Sequence, residues 1–100
     1  MPDIYFGDFR NVVLYHYREI MAENPEYQST GWFLLRYLKR IEQNACPPTS
    51  PEKVENSMRG FIRFYVDMID EKSPLGDRCI RIYDEYRKTL RERRNLDNAE

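Results

Sequence analysis

Apolar positions in this chain recur at steps of three and four, the spacing that collects side chains on one side of an α-helix. Four such segments stand out, separated by proline-bearing breaks. In the first, about 3–23, Phe6, Phe9, Val13, His16, Tyr17 and Ile20 share a side. Asn24-Pro25 stops it, because the residue before a proline is pushed out of helical geometry. The second, 30–44, has Leu34, Leu38 and Ile41 as its stripe, with Ala45 just beyond and Thr30 as the expected N-cap.

Pro47 and Pro48, between Cys46 and Pro51, forbid a helix there, and a hydroxyl at Thr49 or Ser50 followed by Pro51 and Glu52 is a strong start signal. The third helix is predicted over 51–72, with Val54, Met58, Phe61, Ile62, Tyr65, Met68 and Ile69 facing inward. Ser73-Pro74 repeats the cap-then-proline device and opens a fourth helix over 74–94, striped by Leu75, Cys79, Ile82, Tyr83, Tyr86 and Leu90. Residues 96–100 are expected to fray. Short connections between helices of similar length pack neighbours antiparallel. The chain therefore reads as all-α, a single domain over 1–95 folded as an antiparallel up-down four-helix bundle.

Composition narrows the class further. One hundred residues suffice for one compact domain, and 41% apolar with 33% charged residues excludes a disordered chain. The net charge of −1 provides no global field toward nucleic acid or anionic lipid. Cys46 and Cys79 stand in no metal or redox spacing. No apolar run approaches the roughly 20 residues of a membrane span, and no secretory pattern opens the chain. The expected location is a reducing cytoplasm with both thiols free and no membrane contact.

Catalytic chemistry finds little support. His16 is the sole histidine. A zinc site needs three or four ligands, and a di-iron bundle needs inward Glu together with Glu-x-x-His pairs, which this chain lacks. His16 flanks the apolar stripe of its helix, so the plain reading is a boundary residue with one polar partner; the sharper one is a small-ligand or haem-binding group. There is no nucleophile elbow and no phosphate-cradling glycine loop. The expectation is a non-enzyme without cofactor or metal.

Two surface features remain. Arg87, Arg91 and Arg94 share a stripe of the last helix, with Lys88 and Arg93 beside them, an arrangement suited to nucleic-acid phosphates. Cations also favour a helix C-terminus and pair at i,i+4, which is the blander account. The second feature is surplus apolar surface. Trp32 projects opposite the core stripe of its helix, with Leu35 between the two sides; Leu14 and Met21 widen the first helix's apolar arc, and Tyr15 sits on its polar side. Phe64 and Ile80 lie off the main stripes of the third and fourth helices, Phe64 beside the small residues Ser57 and Gly60.

Aromatic and Met-rich surplus of this kind marks interfaces; the blander account is that Trp32 packs under the Pro25–Ser29 loop with Tyr27. The chain is therefore expected to be a non-catalytic interaction protein (adaptor, regulator or inhibitor) that binds a partner protein through Trp32, Leu35, Leu14, Tyr15, Met21, Phe64 and Ile80 and forms a homodimer. Nucleic-acid binding through the Arg87 stripe and ligand binding at His16 are the alternatives.

Overall fold

The computed structural model describes residues 6–46 and 50–98, the last six by backbone alone. It is an all-α four-helix bundle: α1 Gly7–Ala22, α2 Thr30–Asn44, α3 Pro51–Met68 and α4 Pro74–Asn98. The expected start of the first helix at residue 3 lies outside the described residues.

Local chemistry sets most boundaries as the sequence suggests. α1 ends at Ala22, and two residues on Asn24 takes a left-handed φ of 52° ahead of Pro25. The hydroxyl that caps α2 belongs to Ser29 rather than Thr30: it accepts from the Trp32 N–H at 3.2 Å. Ser50 caps α3 through the Lys53 N–H, with Pro51 in the first turn. Ser73 caps α4 by accepting from the Gly76 N–H at 3.0 Å.

α3 is shorter than its apolar spacing predicts, ending at Met68 instead of Lys72. Ile69 already has extended backbone, φ −114° and ψ 129°. The cause is the residue that follows it. Asp70 accepts the Lys72 N–H on its side chain, and its carbonyl accepts the Ser73 hydroxyl. These local bonds compete with the helical ladder. Ile69 stays buried, but Met68, read as inward, is 61% exposed. At the other end, α4 remains helical to Asn98, through positions 96–98 expected to fray.

The core interleaves one stripe from each helix: Phe9, Val13 and Ile20; Leu34, Leu38 and Ile41; Val54, Met58 and Phe61; Cys79 and Ile82. Tightly packed interiors of this kind leave little room for volume changes. α1 packs against both α2 and α4, and α2 also packs against α3, whereas the backbones of α3 and α4 approach closely at few points. Three seams are closed and one is loose. No helix among the described residues is long and apolar enough to cross a membrane.

Candidate functional site

His16 faces the seam between α1 and α4 and is 5% exposed. The Arg78 guanidinium donates to its Nδ1 at 3.2 Å. A guanidinium can only donate, so Nδ1 is the bare nitrogen and the ring proton sits on Nε2. Burial lowers the pKa of His16 from its ordinary value; the Arg78 and Arg81 charges lower it further, with Asp77 and Glu19 opposing. A neutral imidazole held by an arginine is the boundary arrangement anticipated above.

The surrounding α1–α4 groove is lined by Tyr15 and Asn11 on one wall and by Arg81, Asp84, Lys88 and Arg91 on the other. Cations and carboxylates alternate along it, so it presents no single sign to a ligand. Tyr15 stacks edge-on against His16, ring centroids 5.1 Å apart. It therefore belongs to this groove and not to the surface that holds Leu14.

The basic stripe divides. Arg87 lies over the Tyr83 ring at 5.8 Å, on the flank toward α3. Lys88 and Arg91 turn into the α1–α4 groove among carboxylates. The side chains of Arg93 and Arg94 lie outside the described residues.

Phe64 is not a surface residue: it is 7% exposed and stacks on Tyr37 of α2, centroids 4.7 Å apart. Ser57 and Gly60 do admit another helix, and that helix is α2. Leu35 is partly buried against the core.

Of the remaining expected residues, Leu14, Met21, Leu35 and Trp32 lie on the stripes that border the α1–α2 seam. Arg10 of α1 and Glu42 of α2 form an ion pair at 2.6 Å that fixes the register of two antiparallel helices. Leu14 and Met21 follow Arg10 on its stripe, and Leu35 and Trp32 precede Glu42 on its own. Met21 and Trp32 therefore fall at the same level of the seam.

Around Trp32 the chain builds an aromatic cluster. Tyr27 and Phe33 meet its ring edge-on at 4.9 and 5.0 Å, and the Arg36 guanidinium sits 5.2 Å from the ring centroid. Tyr27 is 74% exposed, and it reaches Trp32 because the loop turns through Gln28 with φ 63°. From Thr30 to Ile41, α2 bears Arg36, Lys39 and Arg40 and no acidic residue. The cluster sets a half-buried Trp32 between the exposed rings of Tyr27 and Phe33, beside positive charge.

A second apolar surface lies in the loose seam. Ile62, Tyr65 and Val66 of α3 face Ile80 and Tyr83 of α4 across a groove of about 190 Å³ floored by Phe61 and Cys79. Val66 is 70% exposed. Of these, the sequence reading singled out Ile80 alone. Val66 carried a visible signal, lying one turn beyond Ile62 at the edge of the α3 stripe.

Among the described residues no three His, Cys, Asp or Glu side chains come together as a metal site would require. Cys46 is exposed and Cys79 buried, both as free thiols. Burial pushes the Cys79 thiol up to about 12, far from a reactive thiolate. Compared with family models, with curated proteins and with solved structures, the chain matches none of them.

Proposed function

We propose that this protein is a non-catalytic cytoplasmic interaction module that binds an acidic segment of a partner protein across the outer α1–α2 seam, centred on Trp32, and that it self-associates. The observation that carries the reading is the Trp32 cluster. Tyr27, Trp32, Phe33 and Arg36 are the residue types that dominate binding energy at protein interfaces, and they sit here on a helix face with three cations and no carboxylate. Met21 and Leu14 on the matching stripe of α1 extend the apolar part of the surface. Two cysteines without a disulfide suit a reducing compartment.

Trp32 is the only tryptophan, so its emission reports on this surface directly. Titration with Asp/Glu-rich peptides carrying a Leu or Phe should shift that emission, and the binding should weaken with salt. Arg36→Glu should weaken the association by at least about tenfold, the loss of one charged anchor beside an aromatic hot spot. Emission unchanged by every acidic peptide, but shifted by a single-stranded oligonucleotide, would replace this reading with nucleic-acid binding through aromatic stacking and phosphate contacts.

A further inference from the structure

The loose seam between α3 and α4 has an apolar middle and oppositely charged ends. At the end where the two helices are joined, Asp70 and Glu71 lie near the Tyr65 hydroxyl and raise its pKa, after the larger effect of burial. At the far end, Arg87 lies over Tyr83, and Arg59 pairs with Glu55 at 2.9 Å. Among the described residues, Asp70, Glu71 and Arg87 enter no ion pair. Val66 and Ile80 are exposed between these ends, and Tyr83 is partly so.

A surface with acid at one end, base at the other and an apolar centre is complementary to itself when turned end for end. A two-fold axis at the centre brings each acidic end against the partner's basic end and buries the apolar strip twice. That is the form an isologous interface takes. The distances agree with this layout: Ile80 stands about 10 Å along α4 from each end, at 1.5 Å per residue, so the axis passes close to it.

We infer that the α3–α4 groove is the homodimer surface, occupied by the same groove of a second copy packed antiparallel to it, with Asp70 and Glu71 of each copy facing Arg87 of the other. This gives the self-association proposed above a specific location, and it leaves the Trp32 face free on the outside of the dimer. Burying Val66 and Ile80 against their counterparts removes from water the largest exposed aliphatic side chains of the seam. The charged ends fix the antiparallel direction.

Sedimentation equilibrium over a concentration series tests this. The wild-type chain should dimerise, and Ile80→Asp should weaken the dimer by more than about tenfold, since each copy then buries a charge at the axis. Arg87→Glu and Glu71→Arg should each weaken it by about fivefold, two exposed pairs being lost at once. The two charge variants mixed together should recover wild-type association, because one cross-pair keeps its native sign and the other is restored with reversed sign; combined in one chain they should recover it with both pairs reversed. None of these side chains lies in the core, and circular dichroism should show each variant folded. A wild-type chain that stays monomeric, a dimer indifferent to Ile80→Asp, or charge variants that fail to rescue one another would overturn the inference. The Trp32 titration separates the two surfaces: Ile80→Asp should leave peptide binding intact, and Arg36→Glu should leave the dimer intact.

Discussion

Three of the four helical glycines, at 31, 60 and 76, offer a graded test of the packing, because the same added methyl meets three different surroundings. At Gly60, inside α3, the nearest atom to a new Cβ is Tyr37 Cε1 at 3.7 Å, an ordinary contact. Alanine there loses less backbone entropy on folding and should stabilise the protein by about 0.5–1 kcal/mol. At Gly31 the Cβ comes to 3.2 Å from Pro25 Cβ, so a loop ring must yield by a few tenths of an ångström. That cost should cancel the propensity gain and leave Gly31→Ala close to neutral.

At Gly76 the Cβ would lie 2.3 Å from the Asp70 carbonyl oxygen and 2.8 Å from two Glu71 backbone atoms. That carbonyl is held by the Ser73 hydroxyl at 2.6 Å, and Asp70 Oδ1 is bonded to the Lys72 N–H. Backbone must move, and strain of this kind costs about 1–3 kcal/mol, exceeding the propensity gain. Urea unfolding followed by far-UV circular dichroism should therefore rank Gly60→Ala above wild type and Gly76→Ala well below it. In thermal melts the two variants should differ by roughly 10 °C or more for a domain of this size. A Gly76→Ala protein as stable as Gly60→Ala would refute the tight α3–α4 junction.

Two further outcomes follow from the titratable groups. His16 is driven toward its neutral form in the fold, so its contribution to stability is complete above its ordinary pKa of 6.5 and is lost as pH falls from there through the lowered folded value. Wild type minus His16→Gln, measured by urea unfolding, should therefore be flat from pH 8 to about 7 and fall below that; a difference independent of pH would show that the ring is not held neutral. A disulfide-exchange reagent under native conditions should modify Cys46 fast and leave Cys79 intact until the chain unfolds, with mass spectrometry of the labelled peptides identifying the site.

Helix number, most boundaries and most of the core were legible because they rest on local signals: spacing within a turn, proline, and a hydroxyl before it. α3's end was not, since Ile69 continues the helical spacing while the Asp70 side chain diverts the backbone. Phe64 was misplaced for a different reason. A helix wheel shows how wide an apolar arc is, but not that a bundle helix has two neighbours, and α2 covers the extra width. Trp32 is half-buried against Tyr27, the plainer of the two arrangements expected for it, whereas the left-handed turn at Gln28 that carries the loop back toward it is announced by no pattern. The α3–α4 groove was the least visible feature. It depends on how far apart two axes are held, and the 70–76 junction sets that separation.

The pairing of α1 with α4 has a consequence for how the chain is made. His16 waits for Arg78, 62 residues later. At translation rates of about 5–20 residues per second, that interval is roughly 3–12 s, far longer than helix formation or collapse. α1, α2 and α3 thus have time to settle on one another before the fourth helix exists, with one side of α1 still in water. A histidine on that side keeps the waiting surface partly polar. When α4 arrives, Arg78 supplies the hydrogen bond that water had been providing.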